Sequence, residues 1–281
     1  MATEATFESK GGVEIFYRAW AAEGVPRAVL VICHGVNSHG GQYIWAAERF
    51  AEHGLAVYAH DLRGRGRSAG ERFYVDDIAD YVADVAGTIA IAKAAHPGLP
   101  VFLLGHSAGG VTSASYVLDN QAELTGFICE SFAFQVPAPG FALAAIKALS
   151  HVAPKLGVLK LKNEDFSRDP EAVAALNADP FTQNETQPAA TVAALVRADE
   201  RLREEFPTIT LPLLILHGTE DKATVCKGSE FFFETAGSAD KTLKLYPGHY
   251  HDLLADLGKE GVLADMIGWI EARLPGIERG G

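Results

Sequence analysis

The chain has 281 residues, 48% of them apolar and 21% charged, which excludes a disordered chain and fits either one large α/β sheet or two smaller domains. Asp and Glu number 36 against 24 Lys and Arg, a net charge of −12. A negative surface argues against bulk nucleic-acid binding and polybasic membrane attachment, because both need cations to meet phosphates.

The N-terminus, MATEATFESKGG, has neither the basic nor the apolar region of a signal peptide. No stretch reaches the roughly 18 uninterrupted apolar residues of a membrane span, so a cytoplasmic protein is expected. Alternating segments around Ala5–Ser9 and Val13–Arg18 flank Lys10-Gly11-Gly12 and predict an antiparallel hairpin at a sheet edge. Continuous apolar runs follow at Ala28–Cys33, Ala56–His60, Val101–Leu104, Gly126–Cys129, Leu213–Leu216 and Thr242–Tyr246. Such runs are typical of strands buried on both faces. Helical patterns lie near Tyr43–His53, Asp77–His96, Gly109–Asn120 and Lys227–Ala236. The last helix is expected from about Lys259 to Arg273, stopped by Pro275 and Gly276. This alternation predicts βαβ units and a mostly parallel sheet.

Between the runs at Gly126 and Leu213 no strand is expected. Phe134–Leu161 is apolar and interrupted by prolines, and Lys162–Thr191 is polar, with Asp-Pro at 169–170 and 179–180. A structureless loop of this length is improbable in a compact domain. The segment therefore reads as an insertion of short helices over the carboxyl ends of the strands, where open α/β sheets bind ligands. The expected division is a core from 1–134, a helical cap from 135–190, and a second part of the core from 191–281. Of the three cysteines, Cys33 and Cys129 sit in apolar runs and read as small buried hydrophobes in a reducing compartment, and with Cys226 they form no zinc-like cluster.

Gly105-His106-Ser107-Ala108-Gly109 matches G-x-S-x-G, with the strand VFLLG before it and a helical pattern after it. A serine nucleophile must stand on a sharp strand-to-helix turn, and glycines two before and two after it let neighbouring backbones approach. The helix that starts there points its positive end at a developing oxyanion. Serine needs a base and an acid, in the chain order Ser, Asp/Glu, His on such a turn. Leu213–Leu216 runs into His217-Gly218-Thr219-Glu220-Asp221, where Asp221, deeper in the turn, is preferred to Glu220. After the last strand, Tyr246-Pro247-Gly248-His249-Tyr250-His251 offers two imidazoles, of which His251 is preferred to His249. The oxyanion donors should be the backbone N–H groups of Ala108 and of Val36, in the loop after the strand VLVIC. His34 reads as a hydrogen-bonded turn residue. Asp61-Leu62-Arg63-Gly64-Arg65-Gly66-Arg67 reads as a turn tied to neighbouring loops rather than an RNA-binding tract.

With these residues in place, the chain resembles the α/β-hydrolases of the monoacylglycerol lipase type, the group also labelled serine aminopeptidase S33. The resemblance is carried by HGVNSHGGQY at 34–43, HDLRGRGRSAGER at 60–72, GHSAGG at 105–110, SRDPEAVAALNADPF at 167–181, LHGTEDKATVCKGS at 216–229 and YPGHYHDLLAD at 246–256. It implies an α/β-hydrolase fold with an eight-stranded sheet, a helical cap over an acyl tunnel, and no cofactor. It implies Ser107, Asp221 and His251 as the triad and Val36 and Ala108 as the oxyanion donors. The family's polar head-group positions fall on Ser38, Gln42 and Leu254, which carry neither charge nor imidazole.

The expected reaction is hydrolysis of an ester with a hydrophobic acyl group through an acyl-enzyme. The partners expected are a small-molecule ester or lipid, no nucleic acid, and at most transient contact of the cap with a membrane surface. Phe132, Phe134, Phe141, Leu143, Ile146, Leu149 and Leu156 suit such an acyl group, or packing of the cap onto the core. Amide or thioester hydrolysis and acyl transfer share the first half-reaction and stay open. A non-catalytic small-molecule receptor on the same scaffold is the reading from another class, since fold alone does not establish activity.

Overall fold

In a computed structural model, residues 2–274 are described. Strands β1 (Thr3–Ser9) and β2 (Val13–Trp20) form the hairpin, with Thr3 opposite Ala19 and Ser9 opposite Val13. Gly11 and Gly12 take φ values of 81° and 73° at its turn, a conformation that costs glycine nothing. Strands β3 (Ala28–Cys33), β4 (Leu55–His60), β5 (Val101–His106) and β6 (Gly126–Glu130) are buried at every position. The insert contains two short strands, β7 (Gly157–Leu159) and β8 (Gln187–Pro188), and the chain returns to the main sheet in β9 (Leu213–Gly218) and β10 (Lys241–Tyr246).

The main sheet has eight strands in the order β1-β2-β4-β3-β5-β6-β9-β10, antiparallel through β4 and parallel from there on. This is an α/β-hydrolase fold. The helices are α1 (Ile44–Glu52), α2 (Ile78–Ala95), α3 (Ala108–Asn120), α4 (Gly140–Ser150), α5 (Pro170–Ala178), α6 (Ala189–Glu205), α7 (Cys226–Thr235) and α8 (Lys259–Glu271). Alternate residues of β3 serve the two faces of the sheet, as a period of two requires. Val29, Val31 and Cys33 join α2, α3, α6 and α7 in one core, and Leu30 and Ile32 join α1 and α8 in the other. Each fully buried Leu, Ile, Val or Phe in these layers contributes about 1.5–3 kcal/mol.

The chain leaves β3 toward β4 on one side and later places β5 on the other. Loops that diverge in this way leave a crevice at the carboxyl ends of the two strands. The loop carrying Val36 follows β3, and Ser107 follows β5. The topology alone therefore brings those two residues to one place.

Two expectations need correction. The insert does contain strand: β7 and β8 pair in an antiparallel ribbon. Three residues and two, one of them proline, are too few to establish a period in sequence. The 17-residue helix α6 begins at Ala189, where no helix was expected. Its stretch AATVAALVRADERLREE is apolar at one end and charged at the other, so its face reads less clearly than its neighbours'. The predicted stop at Pro275 and Gly276 lies outside the described residues. All three cysteines are unpaired, and burial pushes the Cys33 thiol up to about 12. No described helix is long and apolar enough to cross a membrane.

Candidate active site

Ser107 sits between β5 and α3 with φ 57° and ψ −122°, a backbone region that side chains other than glycine rarely adopt. The turn is held by close packing. A β-carbon at Gly109 would lie 2.3 Å from the carbonyl oxygens of both Cys33 and His34, and one at Gly105 would lie 2.7 Å from the carbonyl oxygen of Gly109. The first turn of α3 thus rests directly on the end of β3, and only glycine permits it. The Ser107 amide donates to the carbonyl of Glu130 at 2.9 Å. As the first residue of α3, Ala108 has an N–H with no intrahelical partner.

Asp221 lies in the turn after β9. Its Oδ1 accepts the N–H groups of Ala223 and Thr224 at 2.8 and 2.9 Å. Its Oδ2 lies 2.7 Å from His251 Nδ1, 3.1 Å from His217 Nε2 and 2.8 Å from Thr224 Oγ1. Burial alone would raise this carboxyl, but the opposing charge of His251 and the hydrogen bonds from His217 and His251 outweigh it. They hold Asp221 well below the usual carboxylate range. A carboxylate at Nδ1 fixes the proton on that nitrogen and leaves Nε2 with a free lone pair. His251 Nε2 is buried and has no hydrogen-bond partner.

The loop bearing His251 is fastened from below and above. Ser131 Oγ donates to the His251 carbonyl, and His106 Nε2 lies 3.4 Å from it. The rings of His106 and His251 have centroids 4.9 Å apart. Phe166 of the insert meets His251 edge-on at 5.1 Å, and its carbonyl accepts the Asp252 N–H at 2.8 Å. Glu130 Oε1 accepts the Leu254 N–H at 3.2 Å. Gly218 explains the reach of the turn, since a β-carbon there would fall 2.3 Å from the Tyr250 carbonyl oxygen.

The structure brings Asp221 to His251 and leaves their rivals elsewhere. Glu220 is exposed, and His249 lies 3.7 Å from Asp256. Ser107, Val36 and Ala108 share the wall of a cavity of about 840 Å³. Its apolar lining includes Phe134, Leu143, Ile146, Val158, Leu161 and Leu195, drawn from the insert and from α6. Ser38, Gln42 and Leu254 are not among its lining residues. Gln42 donates to Asp179 at 3.1 Å, Ser38 is buried, and Leu254 packs in the core beneath α8. His34 is a turn residue: Nδ1 donates to the Gly35 carbonyl at 2.7 Å and Nε2 accepts the Leu62 N–H at 2.9 Å.

One cluster among the described residues, His106, Glu130 and Asp252, brings three potential metal-ligand atoms within 4.8 Å of one another. Burial governs the protonation of all three. Burial, with Asp252 beside it, raises the Glu130 carboxyl well above its usual range, and burial pushes Asp252 up to about 6. Burial likewise pushes His106 down to about 3, so its ring is neutral. His217, Thr224 and Glu130 carried no assigned role in the sequence. His217 stood in the right motif, but its partner is fixed only by the fold.

The family model described as "Serine aminopeptidase, S33" matches residues 24–258. The chain is 35% identical to a monoacylglycerol lipase of Mycolicibacterium smegmatis over 97% of its own length and 98% of the relative's. It is 33% identical to the human monoglyceride lipase over 93% of its length and 88% of the relative's. Among solved structures, a monoacylglycerol lipase of Paleococcus ferrophilus superposes with a TM-score of 0.82 at 27% identity, covering 97% of this chain and 99% of that one. The fold and the buried serine turn define an α/β-hydrolase. The chain belongs to the serine aminopeptidase S33 family and, within it, is monoacylglycerol lipase-like over nearly its whole length.

Proposed function

We propose that this protein is a serine carboxylic-ester hydrolase that cleaves esters of hydrophobic acyl groups through an acyl-enzyme. His251 Nε2 takes the proton of Ser107 as its oxygen attacks the ester carbonyl, and Nδ1–H stays on Asp221, which stabilises the imidazolium. The N–H groups of Val36 and Ala108 receive the tetrahedral oxyanion, at the positive end of α3. The imidazolium then protonates the leaving alcohol, and a water repeats the cycle on the acyl-enzyme. The observation that carries this reading is the buried His251, its Nδ1 held by Asp221 and its Nε2 without a partner, in a fold that also sets Ser107 in a strained turn opening onto an apolar cavity.

The head-group end is less selective than the acyl end. Gln42 is engaged by Asp179 and Leu254 by the core, so neither is free to read glycerol hydroxyls. A site discriminates by the polar groups it leaves unpaired when the wrong substrate binds. The exposed face of α4 suits brief contact with a lipid surface: Phe141 is 79% exposed and Val152, just beyond the helix, 85%.

A fluorophosphonate probe should label Ser107, and labelling should vanish in Ser107→Ala. Folded wild-type protein that takes no label refutes the hydrolase reading and favours a receptor. A panel of p-nitrophenyl esters and 1- and 2-monoacylglycerols then ranks acyl chain and head group, with little dependence on glycerol expected.

A further inference from the structure

The RGRGR loop after β4 has no task in acyl transfer, yet its middle arginine crosses into the insert. Gly64 and Gly66 have φ of 71° and 48°, and a β-carbon at either would fall 2.1 Å from the Glu71 carbonyl oxygen or from Asp61 Oδ2. The loop is thus folded tightly around Arg65, which is 1% exposed. The guanidinium pairs through Nη1 with Glu185, donates through Nη2 to Gln187 Oε1 at 2.9 Å, and reaches Tyr81 through Nε at 3.3 Å. Its two sisters are engaged as well, Arg63 with Asp84 and Arg67 with Glu4.

Glu185 belongs to the insert and is 2% exposed. The oxygen that meets Arg65 also accepts the backbone N–H of Asn37 at 2.9 Å. Asn37 directly follows Val36 and has φ 53°, a left-handed conformation that asparagine tolerates better than most side chains. On the other side of Val36, Gly35 is pressed against Ser107, where a β-carbon would lie 2.8 Å from the serine β-carbon. The Val36 amide is therefore fixed from both directions, by the nucleophile's turn before it and by Glu185 after it. A buried ion pair stabilises a fold little more than apolar residues of the same size. What this one supplies is direction.

We propose that Glu185, clamped by Arg65, is a positioning residue for oxyanion stabilisation: it sets the Val36 amide at the place where negative charge develops. The inference rests on the acyl-transfer reading of Ser107. The insert would then supply part of the reaction's geometry as well as the cavity wall. The same loop has two further holds on the insert, His39 to Asp179 at 2.8 Å and Asn37 to Asn163 at 3.4 Å. Loss of Glu185 should therefore leave the insert docked.

The test uses Arg65→Met/Glu185→Met, which removes both charges together, and Arg65→Met/Glu185→Gln, which restores an acceptor for the Asn37 N–H. The first variant should lose about 10- to 100-fold in kcat on a p-nitrophenyl ester with KM within about twofold, because a displaced oxyanion donor weakens the transition state alone. A long-chain trifluoromethyl ketone, whose adduct carries the oxyanion, should lose affinity in step. The second variant should regain most of both. Glu185→Asp keeps the charge pair, withdraws the acceptor by one methylene, and should show the same kcat-only loss, which covers failure of the first variant to fold. Unchanged kcat in Glu185→Asp, or no recovery with glutamine at 185 while wild type still takes the fluorophosphonate label, overturns this inference alone. Absence of label in wild type would instead overturn the hydrolase reading beneath it.

Discussion

Asp221 is where the most donors converge: two backbone N–H groups, a threonine hydroxyl and two imidazoles. With this many partners the carboxylate cannot turn, so the Nδ1 proton of His251 has one acceptor. Asp221→Asn should keep the fold and lower kcat by roughly 10⁴-fold, since an amide favours the wrong imidazole tautomer. Retained kcat on p-nitrophenyl esters, with the melting temperature unchanged, would sink the role given to this residue. Beneath it, Glu130 and Asp252 make the stability of the fold depend on pH. Both carboxyls are raised, chiefly by burial. The folded state then holds protons that the unfolded chain releases near pH 4. Stability from this pair is greatest below that pH and is lost as pH rises through about 6 and beyond. Glu130→Gln, which keeps an acceptor for the Leu254 N–H, should flatten the fall in melting temperature as pH rises above the ordinary carboxylate range. Equal slopes in the two proteins would refute this account. At this scale the sequence singled out Ser107, Asp221 and His251 as candidates because each follows a recognisable strand, and the structure pairs Asp221 with His251. Glu130 and Glu185 were not readable, because their partners lie on other loops that only the folded sheet brings near, and His217 was not, because nothing in its motif says that it turns onto Asp221 four residues on.

The turn between β5 and α3 is the element on which the site depends most. Gly109 has carbonyl oxygens 2.3 Å from where a side chain would begin. Gly109→Ala must push α3 off the end of β3, at a cost of about 1–3 kcal/mol or more by analogy with overpacked cores. Thermal denaturation should register this as a drop of several degrees, and esterase activity should fall with it. A variant as stable and active as wild type would contradict the packing described. Elements of the main sheet were legible in the sequence, since β3, β5 and β9 each hold an apolar run of at least four residues and the hairpin alternates. The insert was legible only as an absence of rhythm. Its ribbon is too short for a period, and α6 changes from apolar to charged along its length, which blurs its face in sequence.

For the whole molecule, an acidic chain with an apolar patch on the insert should approach lipid through surface burial rather than charge. Phe141→Ser/Val152→Ser should reduce co-sedimentation with neutral phosphatidylcholine vesicles and leave kcat on a soluble p-nitrophenyl ester within about twofold. Equal sedimentation of both proteins would remove α4 from the lipid-facing account. The helix has a further consequence. It has no buried residue, whereas β3, β4, β5, β6 and β9 are buried throughout. Local opening costs least where the fewest apolar contacts must be broken. Backbone amides of 140–150 should therefore exchange with deuterium far sooner than those of the central strands. Early exchange confined to 140–150 would mark this helix as the part of the cavity wall that opens most readily, and exchange as slow as in the central strands would refute it.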